Sequence, residues 1–286
     1  MNYLRRKSFA KINLFLKIKG KIENYHDLVS LITLIDLHDN IEIRKSNKFS
    51  IKIISEFASL INKENNIFIE ILNFFKRKYD IDNNLEIILE KNIPVSAGLG
   101  GGSSNAATFM LMINDMFNLN LSNKDLQNIS LNFGSDIYFF LENKACIIEG
   151  RGDIIRPIKK FDSKEILIIN PRIELPTKNV FKNNKVISNN FDFNLNTNSI
   201  DLVDAIKNYD NDLTYSATDI VNEIDIIINN LYKYGAYCAK MSGSGASCFA
   251  IFKNLAELDY CYDVFKNKFP NFYIKKSKII YSALDE

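Results

Sequence analysis

Hydrophobic and polar positions alternate along residues 9–19. Ala10, Ile12, Leu14 and Leu16 form an apolar side, and Phe9, Lys11, Asn13 and Phe15 lie opposite. A period of two is the signature of a strand. Residues 39–44 and 49–54 read as further strands. The period lengthens over 66–79, where apolar residues stand at 67, 68, 71, 72, 74 and 75, the stripe of an amphipathic helix. Residues 85–89 predict a strand leading into a glycine run, and 104–117 a helix leaving it. Ser122 is suited to cap the next helix, with Asp125 in its first turn and Gly134 as its stop signal. Strands are expected at 145–149 and 166–169. Residues 182–199 are rich in asparagine and read as a loop. A helix over 218–234 is followed by strands at 238–241 and 247–252, then by a helix over 255–268 and a strand over 273–280. No internal repeat is visible. Strands and helices mix without strict alternation, which favours an α+β fold over a doubly wound parallel sheet.

With 286 residues, the chain can bury about 75% of its unfolded surface and suits one large or two smaller domains. The net charge is +2, with acids and bases mixed along the chain. No basic block points to nucleic acid. The basic start, Arg5-Arg6-Lys7, reads as a solvated strand, because no long apolar stretch follows it. The four cysteines, at 146, 238, 248 and 261, form no Cys-x-x-Cys pair and read as buried free thiols. That fits a reducing, cytoplasmic setting without a membrane. His26 and His38 are the only histidines, so a structural zinc site is not expected.

The most informative segment is Pro94-Val95-Ser96-Ala97-Gly98-Leu99-Gly100-Gly101-Gly102-Ser103-Ser104. Four glycines and two serines lie within the seven residues from Gly98. Glycine lets backbone N–H groups approach an anion closely, and a helix N-terminus adds unpaired N–H groups. The run is therefore read as a phosphate-binding loop rather than a linker. It is not a Walker A loop, since Ser103 rather than lysine follows Gly102. Nor is it a dinucleotide fingerprint, because Ser103 holds the place of the third glycine.

Several other positions carry candidate chemistry. Lys11 and Asn13 project together from one strand face, where a lysine is otherwise simply solvated. Asp136 precedes the apolar residues Ile137-Tyr138-Phe139-Phe140. At a core edge such a carboxylate is desolvated and aimed, as a base requires, although a turn or helix-capping aspartate is the plainer reading. Tyr25-His26 reads as part of a loop, and Phe181 as either a core residue or a ring for stacking. Ser242-Gly243-Ser244-Gly245 is a second small-residue loop, with a plain glycine hairpin as its simplest reading.

The order of these motifs resembles the GHMP kinase superfamily, which includes galactokinase, homoserine kinase and mevalonate kinase. The resemblance extends from Lys11 to the loop at 242–247. It implies two α+β domains, a ribosomal-S5-like N-terminal one at 1–160 and a ferredoxin-like C-terminal one at 161–286, with the last strand able to return to the first. The active site is then expected in the cleft between them. Within the superfamily, the string from Gly98 to Ala107 resembles the branch whose acceptor is a cytidine diphosphate-linked methylerythritol. That resemblance implies a catalytic Lys11 and a catalytic base at Asp136. It gives the nucleotide the segment from Pro94 to Ser104, with Asn66 and Lys91 beside it. It gives the acceptor Asn13, Tyr25, His26, Thr177, Phe181 and Ser242 to Gly245.

The implied reaction is ATP-dependent phosphorylation of the acceptor's 2-hydroxyl, in the non-mevalonate route to isoprenoid precursors. Mg²⁺ would be held mainly by the ATP phosphates, with Ser103 or Ser104 as the nearest protein ligands. The expected assembly is a monomer or weak homodimer. Phe9, Asn24, Ser135 and Tyr138 depart from the family pattern. Two alternatives stand beside this reading: a related kinase acting on homoserine or mevalonate, and a nucleotide-binding regulator without catalysis.

Overall fold

The alternation noted at 9–19 belongs to a longer strand, β1 (Tyr3–Ile22), which pairs with the similarly long β2 (Tyr25–Lys45). The structure is a computed structural model, and it describes residues 2–23, 25–62, 66–82, 84–188 and 201–283. After β2 come β3 (Ser50–Ile54), α1 (Ile67–Tyr79), β4 (Leu85–Glu90), α2 (Gly101–Met116), α3 (Asn123–Ser130) and α4 (Ser135–Glu142). The second half holds β5 (Cys146–Gly150), β6 (Ile154–Pro157), β7 (Lys164–Asn170), α5 (Thr177–Asn183), α6 (Leu202–Asn208), α7 (Thr214–Thr218) and α8 (Glu223–Lys233). It ends with β8 (Cys238–Met241), β9 (Cys248–Ile251), α9 (Leu255–Lys268) and β10 (Tyr273–Ile280).

These elements form two compact units whose segments alternate along the chain. The first comprises Met1–Ala10, Leu37–Val95 and Gly100–Asn143; the second comprises Lys11–Asp36, Ser96–Leu99 and Lys144–Glu286. In the first, β4 pairs antiparallel with β2 from Asn40↔Glu90 to Lys45↔Leu85, and β3 lies parallel on its other side. Helix α1 makes the crossover that a parallel pair requires. Its stripe buries Phe68, Ile71, Leu72 and Phe75, and Phe68 meets Phe109 of α2 at 4.8 Å between ring centroids. Phe9, where the family has proline, is buried within an uninterrupted β1 and packs on His38 at 5.4 Å.

In the second unit the strand order is β2-β10-β7-β9-β8, and β5 pairs with both β2 and β6. Pairing of β10 with β2 is short, Ile279↔Ile35 and Ile280↔Leu34. Helices α5, α7, α8 and α9 cover a core that includes Ile18, Leu167, Ile169, Ile224, Ile227 and Phe265. All four cysteines are free and buried. Burial pushes the Cys238 thiol up to about 11 and that of Cys261 to about 12, so these are inert packing groups.

The expected α+β fold is present, with differences in detail. Tyr25 and His26 open β2 instead of standing in a loop. Helix α2 starts at Gly101, three residues before the predicted start. Of the helix predicted over 218–234, only Glu223–Lys233 forms one helix, α8; Thr218 ends the separate short helix α7, and Val221 N–H closes a turn on Ala217 O at 2.8 Å between them. Helix α6 was not expected. The cap on α3 is as predicted: Ser122 and Asp125 form a reciprocal capping box, and the Ser122 hydrogen bonds hold the Asp125 carboxyl below its usual range. Asn24 and residues 189–199 of the asparagine-rich segment lie outside the described residues. Among the described residues, no helix is long and apolar enough to cross a membrane.

Candidate active site

In the second unit, the side chain of Lys11 is almost fully enclosed, at 6% exposure. A buried ammonium needs acceptors. Its Nζ donates to Asn13 Oδ1 at 2.6 Å and to the carbonyl of Gly98 at 2.8 Å. The Asn13 amide in turn donates to Ser30 Oγ at 2.8 Å, which fixes its oxygen toward Lys11. Ser242 Oγ donates to the same Gly98 carbonyl at 3.0 Å and accepts from Asn13 N–H at 3.3 Å. The backbone of Lys11 donates to Leu99 O at 3.0 Å. Lys11, Asn13, Gly98 and Ser242, predicted from three separate stretches of sequence, thus form one cluster around a fixed positive charge.

Glycines allow this closeness. Gly98 has φ +73°, and a Cβ there would stand 2.4 Å from Ser242 O and 2.8 Å from Gly245 O. Gly243 has φ +57°, and its Cβ would stand 3.0 Å from Lys11 Nζ and 3.1 Å from Asn13 Oδ1. The two small-residue loops therefore pack backbone to backbone. Ala97 O accepts from Ser247 N–H at 3.2 Å on the same seam.

The acceptor-side candidates also meet within this unit. Thr177, the first residue of α5, shares a 2.8 Å hydrogen bond with the Ser244 hydroxyl. Phe181, one turn along α5, is half-buried against the core, and its ring lies 5.0 Å from that of His26 at an angle of 37°. That packing fits the plainer reading, a ring at the edge of the core. Burial, reinforced by the charge on Lys21, lowers the His26 pKa, so the ring is neutral at neutral pH and can both donate and accept. Tyr25 is exposed, with the Arg151 guanidinium 4.8 Å from its ring centroid.

The first unit holds the helix end of the glycine run. Gly100 is the N-cap of α2, in a left-handed conformation, and Gly101 to Ser103 form the first turn. Gly101 is buried over Lys91, whose Nζ would be 2.8 Å from an added Cβ. Lys91 is itself buried and paired with Asp39 at 2.6 Å. Burial pushes its ammonium below the usual lysine range, against the opposing pull of Asp39. Asp39 also accepts from Asn92 N–H at 2.7 Å and Ile93 N–H at 2.9 Å, so it locks the approach to the loop. Gly102 is exposed with nothing within 4 Å of a built Cβ. Ser104 is buried and shares a 2.7 Å hydrogen bond with Ser8, whereas Ser103 is only half-buried. Asn66 caps α1, its Oδ1 accepting from Phe68 N–H at 3.0 Å. Pro94 and Val95 end the first unit's approach strand-to-loop, and Ser96, with φ +50°, begins the second unit's part of the loop.

Asp136 differs from expectation. It lies in the first turn of α4 and is exposed; burial falls on Ile137, Phe139, Phe140 and Leu141 instead. By helical spacing Asp136 shares a side with Phe139 and Phe140, but it stands in the open first turn of the helix and is exposed there. The carboxylate is therefore solvated rather than desolvated. The sequence reading also missed Asp39, Ser8, Ser30 and Asn211. Each is a buried polar residue whose partners lie far away along the chain, so no local motif marks it.

Comparison with known proteins supplies the family. Residues 66–144 match the model for the GHMP kinases N terminal domain and 194–271 that for the GHMP kinases C terminal domain. A 4-diphosphocytidyl-2-C-methyl-D-erythritol kinase from Thermodesulfovibrio yellowstonii is 36% identical over 259 residues, 87% of this chain and 89% of the relative. A protein of the same name from Clostridium botulinum is 34% identical over 281 residues, 95% of this chain and 99% of the relative. Among solved structures, a 4-(cytidine 5'-diphospho)-2C-methyl-D-erythritol kinase superposes with a TM-score of 0.79 at 21% identity, covering 96% of this chain and 99% of its own. A homoserine kinase from Cytophaga hutchinsonii reaches 0.67 at 17% identity, covering 99% and 96%. The structural likenesses carry the fold and the sequence likenesses carry the descent: the chain belongs to the 4-diphosphocytidyl-2-C-methyl-D-erythritol kinase family of the GHMP kinases.

Proposed function

We propose that this protein transfers the γ-phosphoryl group of ATP to the 2-hydroxyl of 4-diphosphocytidyl-2-C-methyl-D-erythritol, giving the 2-phosphate and ADP. The observation that carries the reading is the buried Lys11 held by Asn13 and Gly98, a fixed cation on the glycine loop itself. Phosphoryl transfer depends on positioning and charge neutralisation more than on covalent chemistry. The N–H groups of Gly101 to Ser103, at the N-terminus of a 16-residue helix, hold phosphate oxygens. Lys11 stabilises charge on the transferring group or on the attacking oxygen. Asp136 takes the hydroxyl proton as the new P–O bond forms and the bond to ADP breaks. His26, Tyr25 and Phe181 grip the cytosine, a base that neither homoserine nor mevalonate offers. A stacked ring contributes about 1–3 kcal/mol per base.

Mg²⁺ bound with ATP supplies charge neutralisation at the phosphates. Among the described residues, no cluster of three acidic, histidine or cysteine side chains could hold it alone. Ser103, half-buried in the first turn of α2, fits as a supplementary ligand; Ser104 is buried and shares its hydroxyl with Ser8. The test is incubation with ATP, Mg²⁺ and the cytidyl acceptor, with ADP followed in a coupled assay and the product identified by mass. Homoserine and mevalonate serve as parallel acceptors. Turnover on either of them instead of the cytidyl compound would overturn the assigned acceptor, and nucleotide binding without turnover on any would overturn the kinase reading.

A further inference from the structure

Between α6 and α7, residues 210–212 run alongside β1. Leu16 and Asn211 form a parallel bridge, with Leu16 N–H donating to Asp210 O at 3.3 Å and Asp212 N–H to Leu16 O at 2.8 Å. Successive side chains of an extended segment point to opposite sides. Here both are buried, at 6% exposure each, and they serve different partners. Asp212 accepts from Lys17 Nζ at 2.7 Å, Ile18 N–H at 2.9 Å and Ser188 Oγ at 2.9 Å. Asn211 reaches the second glycine loop. Its Nδ2 donates to Met241 O at 3.0 Å and to Gly243 O at 2.8 Å, and its Oδ1 accepts from Leu213 N–H at 3.0 Å.

The consequence follows from peptide geometry. A trans peptide is planar, so its C=O and the following N–H point opposite ways. Holding the Gly243 carbonyl turns the Ser244 N–H away from Asn211. Among the described residues that N–H meets no acceptor, while the Ser244 hydroxyl is bonded to Thr177. The same clamp seats Gly243 against Lys11 Nζ and Asn13 Oδ1.

We infer that Asn211 is the positioning residue of the second glycine loop, fixing the Gly243–Ser244 peptide so that its N–H is offered to an oxygen of the bound substrate. The inference rests on the kinase reading and adds to it a residue that touches neither substrate nor reacting atoms. Asn211→Asp tests it. At pH 8 the introduced carboxylate faces two carbonyls with no donor, and kcat falls about 100-fold, the scale of an ångström's misplacement, while the KM for ATP changes less than about threefold. Burial raises such a carboxyl's pKa, and protonation returns one donor. The kcat of Asn211→Asp therefore recovers about tenfold between pH 8 and pH 6 relative to wild type.

Asp212→Asn is the control. It alters an equally buried neighbour on the same segment, so it lowers Tm but leaves kcat within about threefold of wild type. Hydrogen exchange of the 241–246 loop becomes about tenfold faster in Asn211→Asp only. Asn211→Ser, which keeps one shorter donor, replaces Asn211→Asp if the latter does not fold, judged by kcat and loop exchange and not by the pH recovery, since serine does not titrate there. Unchanged kcat, an equal loss in the Asp212→Asn control, or unchanged loop exchange would each overturn the proposal. If the wild type turns over no acceptor, the kinase reading fails, and loop exchange alone decides whether Asn211 positions the loop.

Discussion

Two glycines four residues apart in the same run respond oppositely to an added methyl group. At Gly98, with φ +73°, Gly98→Ala forces an L-residue into the left-handed region, which costs about 1–2 kcal/mol. The new Cβ also falls 2.4 Å from Ser242 O, 2.8 Å from Gly245 O and 3.1 Å from Gly245 N. All three are backbone atoms that cannot rotate aside. Overpacking of this kind adds about 1–3 kcal/mol. The sum is about 2–5 kcal/mol, a large share of the 5–15 kcal/mol by which domains are typically stable. At Gly102, in the first turn of α2, nothing lies within 4 Å and no positive φ is required. Gly102→Ala there gains helix propensity and loses unfolded-state entropy, together about 0.5–1 kcal/mol of stabilisation.

Thermal denaturation of the unliganded proteins measures the contrast directly. Gly98→Ala lowers Tm by about 4–20 °C, at roughly 2–4 °C per kcal/mol, whereas Gly102→Ala leaves it unchanged or raises it by a few degrees. Steady-state kinetics then separate stability from function. Gly102→Ala places a methyl beside the N–H groups assigned to the phosphates, so its KM for ATP rises while its Tm does not fall. A Gly98→Ala protein as stable as wild type would refute the backbone-to-backbone packing of the two loops. A Gly102→Ala protein destabilised to the same degree would refute the distinction between packed and open glycines.

Other substitutions probe the remaining parts. Lys11→Ala and Asp136→Asn each reduce kcat by about 10²–10⁴-fold, the usual range for losing an acid–base group, and retain nucleotide binding by calorimetry; near-normal turnover of Asp136→Asn would reassign the base. Asp39→Ala leaves Lys91 buried without its partner and costs about 3–5 kcal/mol, read as a shift in the urea midpoint. Asn66→Ala removes the α1 cap and costs about 1 kcal/mol by the same measurement. For His26, the folded pKa lies below the ordinary value of 6.5, so the unfolded chain binds more protons and stability falls as pH drops below 6.5; His26→Gln flattens that slope in Tm measured against pH.

The parts legible in sequence were those set by local chemistry. Alternation put Lys11 and Asn13 on one face of a strand, and Ser122 signalled the cap of α3 with Asp125 in its first turn, a cap that the structure closes from both sides. What was not legible depends on distant partners. The second strand runs from Tyr25 to Lys45, but residues 29–35 are almost wholly buried on both faces, so they show no alternation to read. Asp39 gains meaning only from Lys91, 52 residues away, and Asn211 only from a loop 30 residues on. The apolar run after Asp136 suggests a desolvated carboxylate because such a run does not show that the aspartate stands in the open first turn of a short helix.

The glycine run itself illustrates what such a motif encodes. Read alone, its glycines all mean close approach of an anion. Of those with neighbours, Gly98 meets backbone of the second loop, and Gly101 meets Lys91 and Ile93. Gly243 and Gly245 are crowded in the same way, by Lys11 and Asn13 in one case and by Met241 in the other. Gly102, by contrast, has open space on the side where a Cβ would lie. Most of these glycines are therefore required by the protein's own packing, and they would be required with no ligand bound. Anion binding falls to a smaller set: the N–H groups of the first turn of α2 and Lys11, which Asn13 and the Gly98 carbonyl help to hold. A substitution that preserves φ and space but removes the charge, such as Lys11→Met, separates the two contributions. It should leave the loop packed, with Tm near wild type, and abolish turnover. A large fall in Tm with turnover retained per folded molecule would show that Lys11 holds the loop and does not serve the reaction.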